Sequence, residues 1–324
     1  MKTTTVRVDG DGVVLERSEA PIPVAGPGQV LVRMLAASLN RGELIPGGLV
    51  KGGAAKPAGL EGAGEVVSLG PGVVSPRPGA IVMGRCPGAF SEYAVMDVRD
   101  AIPVPPSLSI EAAAAVPLVF LVVHDMLAVQ GRLQPGEWLL VCGVSSGVGV
   151  ATLQAAKVLG ARVIGTSGSA AKLARLRGLG LDVAIEMRAP PFADAVLQAT
   201  GGRGADLVVN AVGGSVFAEC VCCMAFEARL ATVGYVDRVL RAEIDLQALH
   251  AKRLTLFGVS NKLRNADQRV AGVPAFCADL LPAIADGRIR PLVDRVFAFD
   301  EFDAARACME ENRHLGKIVL RIAS

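Results

Sequence analysis

Apolar residues run together over 138–142 (WLLVC) and give way at once to a glycine-rich stretch, 143–149 (GVSSGVG). Apolar positions then recur at helical spacing through 148–159, and a second apolar run fills 161–166. A short apolar run closed by glycines reads as a strand buried on both faces, and the change of period marks a helix. The pattern is strand, tight turn, helix, strand: the first half of a βαβ unit. The alternation continues, with predicted strands at 183–185, 206–212, 230–234 and 254–259 and predicted helices at 170–176, 191–199 and 216–226. Such a rhythm specifies a parallel sheet covered on both faces, with ligands at the carboxyl ends of its strands.

Upstream of residue 116 the pattern is different. Short apolar runs at 30–36, 64–69, 80–83 and 89–95 are separated by Gly26-Pro27-Gly28, Gly70-Pro71-Gly72 and Pro76-Arg77-Pro78-Gly79. Short strands with this punctuation suggest a compact β-rich barrel. Ser109 is placed to cap a short helix with Glu111 in its first turn, and a second helix is predicted over 119–130. Beyond Lys262 come a helical region at 267–285, a strand at 293–299, a helix at 300–312 and a last strand at 318–322. These break the βαβ rhythm and are expected to return to the amino-terminal domain.

The 324 residues suffice for two domains, and a formal charge of +2 offers no broad electrostatic footprint for nucleic acid. The most membrane-like segment, 112–123, contains Pro117, runs into His124 and Asp125 and is short of the roughly 20 residues a span needs. With no signal-peptide pattern at the start, a cytoplasmic location is expected. Seven cysteines, mostly in apolar runs, read as buried free thiols of a reducing compartment. Cys220, Cys222 and Cys223 fall in a predicted helix without histidine neighbours and read as core.

The glycine-rich turn carries the clearest chemistry. Gly143-x-x-Ser146-x-x-Gly149, with Gly147, lets backbone approach a pyrophosphate at a helix N-terminus. A serine stands at the middle position of the usual G-x-G-x-x-G, so a plain strand–helix turn is the alternative. An NAD site would place a carboxylate near the end of the second strand to bind ribose hydroxyls. Here that strand ends Gly165-Thr166-Ser167-Gly168-Ser169, followed by Lys172. Small hydroxyls and a cation favour a 2′-phosphate, hence NADPH over NADH. Arg175 and Arg177 lie further along, and Arg175 reads as part of a solvated helix face.

On these residues the chain resembles the zinc-independent, zeta-crystallin-like quinone oxidoreductases of the medium-chain dehydrogenase/reductase superfamily. The resemblance runs through Ala37-Ser38-Leu39-Asn40, Gly59-Leu60-Glu61-Gly62-Ala63-Gly64, Gly88-Ala89-Phe90-Ser91-Glu92-Tyr93, the VSSGVG turn, 165–169, and Arg313-His314-Leu315-Gly316-Lys317-Ile318-Val319-Leu320. It implies an α/β fold: a Rossmann doubly wound parallel sheet over 119–262 plus a GroES-like β-rich barrel over 1–118 and 263–324, with the active site between them. It places Asn40 and Val122 beside the nicotinamide. It assigns Ser145, Ser146, Gly147 and Val148 to the pyrophosphate turn, and Ser167, Lys172 and Arg313 to the 2′-phosphate; Gly143 and Thr166 are read as cofactor-binding beside them. Arg188 would contact adenosine, Gly234 and Tyr235 would lie near the nicotinamide, and Ser260 would follow the sixth strand. Zinc-dependent relatives have Cys at Asn40, His at Leu60 and a third ligand near Leu118, so no metal is expected.

The chain also departs from that family. Asn-x-x-Asp is Asn40-x-x-Glu43, the following Arg-x-Gly-x-Tyr is not recognisable in 45–53, a threonine is Val122, and an adenosine-stacking tyrosine is Met187. His124 stands where an aromatic is common.

The resemblance implies hydride transfer from NADPH to a quinone. An enone or enoyl-thioester reductase is the second reading, and a non-catalytic nucleotide-binding or RNA-binding protein the third. Among proton donors Tyr235 and His124 are candidates, Tyr93 and Glu61 read as structural, and Asn40 can position but not donate. Solvent is then the default proton source. A homodimer joined through the Rossmann sheets is expected, with 254–259 as the edge strand needing cover.

Overall fold

The computed structural model describes residues 1–9, 12–44, 54–187 and 191–323. It divides into one unit of residues 1–121 and 265–324 and another of 122–264. The first unit begins with a hairpin that hydrophobic patterning passes over, β1 (Lys2–Asp9) and β2 (Gly12–Glu19), paired antiparallel. Thr3 and Thr4 are buried in β1 where an apolar residue would have signalled the strand, and Thr3 Oγ1 lies 2.6 Å from Ser91 Oγ. Threonine keeps the β-branched preference for strand while hiding the alternation.

The larger sheet is built on β3 (Gln29–Ser38). After β4 (Lys56–Pro57), which pairs with β1, come β5 (Glu61–Leu69), β6 (Ile81–Arg85), β7 (Tyr93–Asp97) and β8 (Ile102–Pro103). Glu61 therefore begins a strand and does not sit in a turn. The strand expected over 89–95 starts only at Tyr93. Ala89 and Phe90 lie between the Pro87–Gly88 turn and that strand, and the Phe90 ring is buried edge-on to Phe302, centroids 5.2 Å apart. Ser109 caps α1 (Ile110–Ala114) by accepting from the Ala112 N–H. Helix α2 (Pro117–His124) widens into a π-helical turn, Asp125–Gln130, in which the Gly131 N–H reaches the Met126 carbonyl.

The second unit has the predicted rhythm. Its strands are β9 (Trp138–Cys142), β10 (Arg162–Ser167), β11 (Val183–Glu186), β12 (Ala205–Asn210), β13 (Met224–Thr232) and β14 (Thr255–Gly258). All pair in parallel in the order β11-β10-β9-β12-β13-β14. Helices α3 (Gly147–Val158), α4 (Ala170–Arg177), α5 (Ala193–Ala199), α6 (Phe217–Cys222) and α7 (Leu246–Ala251) intervene. The helix expected to reach Phe226 stops at Cys222, because residues from Met224 onward pair with β12 as strand. Cys222 is exposed, unlike its neighbours.

The helical region expected over 267–285 is three short helices, α8 (Ala266–Val270), α9 (Val273–Asp279) and α10 (Leu281–Ala285). Pro274 and Pro282 sit in the first turns of α9 and α10, where a missing N–H costs nothing, and each starts a new helix. Then β15 (Val293–Ala298) and β16 (Lys317–Arg321), with α11 (Phe302–Glu310) between them in the chain, join the larger sheet of the first unit, β16 antiparallel to β3. Among the described residues no helix is long and apolar enough to cross a membrane.

At the amino end of the parallel sheet, Arg229 forks onto Glu137 at 2.9 and 2.7 Å and donates to the carbonyls of Gly131, Arg132 and Asp206. Burial acts to raise the Glu137 carboxyl, yet the Arg229 hydrogen bonds hold it below its usual range. Replacing Arg229 by Met leaves the half-buried Glu137 carboxylate with the Gln134 N–H alone and takes the donor from three carbonyls. The variant is expected to lose about 1–3 kcal/mol, the worth of charge-assisted hydrogen bonds, read as a lower urea midpoint. An unchanged midpoint would show that the fork adds nothing to stability.

Candidate functional site

The strand order of the second unit reverses beside β9, the place where doubly wound sheets take their ligands. There Gly143 adopts φ +81°, and its N–H and that of Val144 both reach the Thr166 carbonyl, at 3.2 and 3.0 Å. Ser146 caps α3: its hydroxyl donates to the Gly143 carbonyl and accepts from the Gly149 N–H. A Cβ on residue 149 would stand 2.4 Å from that same carbonyl, so the turn closes only on glycine. Gly147 and Val148 occupy the first turn of α3, where N–H groups have no intrahelical acceptor and the helix dipole favours an anion.

At the end of β10 the Ser167 hydroxyl lies 3.0 Å from that of Ser145, joining the turn to the neighbouring strand. Thr166 and Ser167 are nearly buried. Ser169 caps α4, and Lys172, half-buried, stands in its first turn, while Arg175 and Arg177 are exposed in its last. Glu186, in register with Ser167 on β11, is exposed. Two hydroxyls and an ammonium at the tip of β10 form an anion-accepting set that fits the 2′-phosphate of a dinucleotide. Arg188 lies outside the described residues, as does 45–53. Arg313 belongs to the other unit, where it is exposed and ion-paired with Glu311.

Gly234 and Tyr235 follow β13, and Tyr235 is 54% exposed. Ser260 is exposed and its hydroxyl accepts from the Lys262 N–H. His124, at the end of α2, is buried, and Val122 is half-buried. Asn210, at the carboxyl end of β12, escaped sequence analysis. Its amide shapes the next loop by accepting from the Val212 and Gly213 N–H groups and donating to the Gly213 carbonyl.

The first unit holds a polar cluster that sequence spacing could not assemble. Glu61 is fully buried. Its Oε1 accepts from Ser38 Oγ at 2.5 Å, Asn40 Nδ2 at 2.9 Å and Lys317 Nζ at 2.9 Å, and its Oε2 from the Leu118 N–H at 2.7 Å. The Lys317 ammonium also donates to the Leu39 carbonyl and to Asn40 Oδ1 at 2.7 Å. Asn40 Nδ2 has a second acceptor, Glu43 Oε1, at 2.8 Å. Both amide hydrogens of Asn40 are thereby engaged inside the cluster. Glu43 is 5% exposed, and its Oε2 has no hydrogen-bond partner. Burial pushes the Glu43 carboxyl up to about 8; the Asn40 hydrogen bond opposes this, Glu61 adds to it and Lys317 subtracts. Glu43 is then a neutral acid at pH 7.

Asn40, Leu60 and Leu118 bring neither thiolate nor imidazole, and an ammonium already lies among the oxygens. This donor set does not fit a tetrahedral zinc. Cys142 Sγ and Cys220 Sγ are 3.6 Å apart, and Cys223 follows Cys220 at C-x-x-C spacing. The Cys220 thiol is pushed up by its hydrogen bond with Cys142 and by burial, and that of Cys223 by burial first, which keeps both as inert core thiols. No group of three His, Cys, Asp or Glu among the described residues is placed to hold a metal.

The folded chain holds the Glu43 proton to about pH 8, whereas an ordinary glutamate releases it near 4.5, so stability falls as pH rises through that window. Glu43→Gln keeps the contact with Asn40 and removes the titration. The variant is expected to melt several degrees above wild type at pH 8 and to lack that fall. Superimposable Tm–pH curves would show that Glu43 ionises normally.

Residues 26–106 match the alcohol dehydrogenase GroES-like domain, and residues 147–270 match zinc-binding dehydrogenase, together well over half of the chain. A phenolphthiocerol/phthiocerol polyketide synthase component of Mycobacterium tuberculosis is 34% identical over 299 residues. That match takes in 91% of this chain but only 14% of the synthase component, which is a far longer protein. A mycobacterial protein solved in complex with NADPH shares the fold with a TM-score of 0.90 and 26% identity, over 99% of this chain and 100% of that one. The quinone oxidoreductase of Pseudomonas syringae pv. tomato gives 0.87 and 26%, over the same shares. With both of its domains matched and its parallel sheet in the Rossmann order, the chain belongs to the medium-chain dehydrogenase/reductase superfamily.

Proposed function

We propose that the chain is an NADPH-dependent reductase that passes hydride to a quinone and works without a metal. The observation that carries this reading is the anion-accepting set of Ser145, Ser167 and Lys172 beside the α3 turn, with no carboxylate closing β10. NADPH supplies the hydride. The Gly147 and Val148 N–H groups hold its pyrophosphate, and Ser167 and Lys172 hold the 2′-phosphate. Arg313 belongs to the other unit, so within the second unit the phosphate reading rests on Lys172. Asn40 is fixed by Glu61, Lys317 and Glu43, with one lone pair of its carbonyl left over.

A quinone accepts hydride without a Lewis acid, because its product is an aromatic hydroquinone. A simple ketone would need the polarisation a metal provides. The Asn40–Glu61–Lys317 cluster in place of metal ligands therefore favours conjugated acceptors. Identity of 34% to a polyketide synthase component supports a second reading, an enoyl-thioester reductase. A formal charge of +2 gives RNA binding no support. β14 is the outermost strand of its sheet, and we take a second copy of the chain to cover it.

The test is NADPH oxidation by EDTA-treated protein against 1,4-benzoquinone, an enone and an enoyl thioester, with NADH in parallel. Quinone turnover with NADPH well ahead of NADH is expected. Lys172→Ala should raise the KM for NADPH by about 10–100-fold, the worth of one charge-assisted contact, and leave that for NADH nearly unchanged. Equal use of the two cofactors, or activity that only added zinc restores, would sink the reading. Saturated thioester as the faster product would select the second one.

A further inference from the structure

A dinucleotide with its pyrophosphate at the α3 turn and its 2′-phosphate at the tip of β10 has one direction left for its other half. On the side of β9 away from β10 come β12 and then β13, and that half must lie over their carboxyl ends. We propose that Asp237 is the positioning residue for that half: it clasps the loops after β12 and β13 into one wall against which the nicotinamide riboside is held. The inference rests on the NADPH reading above and concerns the second unit alone.

The two loops meet on the Asp237 carboxylate. Its Oδ2 accepts from the Ser215 N–H at 2.9 Å and from the Ser215 hydroxyl at 2.5 Å, which ties down the loop after β12. Its Oδ1 accepts from the Val239 N–H at 2.9 Å, which closes its own loop. Backbone completes the join. The Asp237 N–H donates to the Val212 carbonyl at 3.0 Å, and the Gly214 N–H to the Val239 carbonyl at 2.9 Å. Gly213 makes room for the carboxylate: it adopts φ +133°, and a Cβ there would stand 1.9 Å from Asp237 Oδ1. A Cβ on residue 214 would stand 2.7 Å from the Val239 carbonyl oxygen. The glycine pair and the aspartate are therefore one device, although 22 residues separate Ser215 from Asp237.

This wall continues the pyrophosphate turn. The Ala211 N–H donates to the Cys142 carbonyl at 3.3 Å, and a Cβ on Gly143 would stand 3.4 Å from Val212 Cγ2. Asn210 shapes the start of the loop after β12, and Asp237 holds its far end. Ser215 is exposed and Asp237 half-buried, so a ligand can reach the wall. Burial acts to raise the Asp237 carboxyl, but the hydrogen bonds from Ser215 and from backbone N–H groups hold it below its usual range. It is a charged acceptor at neutral pH, and such bonds are the stronger kind. Little else fixes the second loop, since Tyr235, Val236, Val239 and Leu240 are all exposed. Without the clasp the loop would have to be ordered as cofactor binds, and that cost would appear as lost affinity.

The experiment measures, by titration calorimetry on the full chain, the binding of NADP+ and of adenosine 2′,5′-bisphosphate, which carries the adenine half and lacks the nicotinamide riboside. Wild type is compared with Asp237→Ala, Asp237→Asn, Ser215→Ala and Lys172→Ala, with Tm as the folding control. Asp237→Ala should bind NADP+ about 10-fold more weakly, the worth of a hydrogen bond to a charged group, and bind adenosine 2′,5′-bisphosphate as wild type does. Asp237→Asn keeps one acceptor oxygen, and Ser215→Ala drops the hydroxyl contact alone; both should shift NADP+ affinity in the same direction by less. Lys172→Ala should weaken both ligands. Equal weakening of the two ligands by Asp237→Ala would mark a general structural role and overturn the proposal, as would unchanged NADP+ affinity. Both results leave the NADPH reading standing as long as Lys172→Ala weakens the bisphosphate. Wild type that binds neither ligand would overturn the proposal and that reading together.

Discussion

A carboxylate with no exposure to water must be matched by donors or it unfolds what surrounds it, and Glu61 sets that condition for the first unit. Its four donors come from the end of β3, the turn after it, the start of α2 and the start of β16. Lys317 and Glu61 are 256 residues apart in the chain, so satisfying one charge brings the carboxy-terminal strand into the amino-terminal sheet. A buried pair of this kind adds little net stability against an apolar alternative, but losing either partner is costly. Its effect is to leave one arrangement in which every donor is used. Asn40 is fixed by that arrangement, and with it the backbone that carries Glu43.

The second unit separates rigidity from receptivity along its strands. At the amino end Arg229 uses its whole fork on Glu137 and three carbonyls. At the carboxyl end lie first-turn N–H groups at Gly147 and Val148, two hydroxyls in contact and a lysine in a helix's first turn, the groups we propose for the phosphates of the cofactor. Parallel sheets favour this division, because all their strand ends of one kind lie on one edge.

The sequence showed the second unit better than the first for a physical reason. Strands covered on both faces must be apolar at every position, so β9 was read to the residue, and β10, β11 and β14 to within a residue or two. Where one face is wet or a threonine is buried, the alternation blurs, and β1 and β2 were passed over. The turn at 143–149 was legible because its glycines and its capping serine are local requirements. The Glu61 cluster was not, since its members are set by pairing across the whole chain, and Glu61 among glycines looks like a turn residue. Glu43 was seen only as a departure from Asn-x-x-Asp. Its burial depends on the packing of Asn40, Glu61 and Lys317, none of which any spacing reveals.

Lys317 and Glu43 also bear on what a missing metal means. A zinc ion neutralises and polarises at once. In the reaction we propose, the two tasks fall to different groups. The ammonium of Lys317 provides the positive charge that Glu61 needs, on a tether that no chelator removes, and because Glu61, Asn40 and the Leu39 carbonyl use all three of its hydrogens it has none left for a substrate. Polarising an acceptor then falls to a hydrogen-bond donor, which is weaker than a metal and suffices only for acceptors already electron-poor. Glu43 is a buried carboxyl whose Oε2 has no partner, and holding it protonated beside Asn40, Glu61 and Lys317 lowers stability as pH rises toward 8.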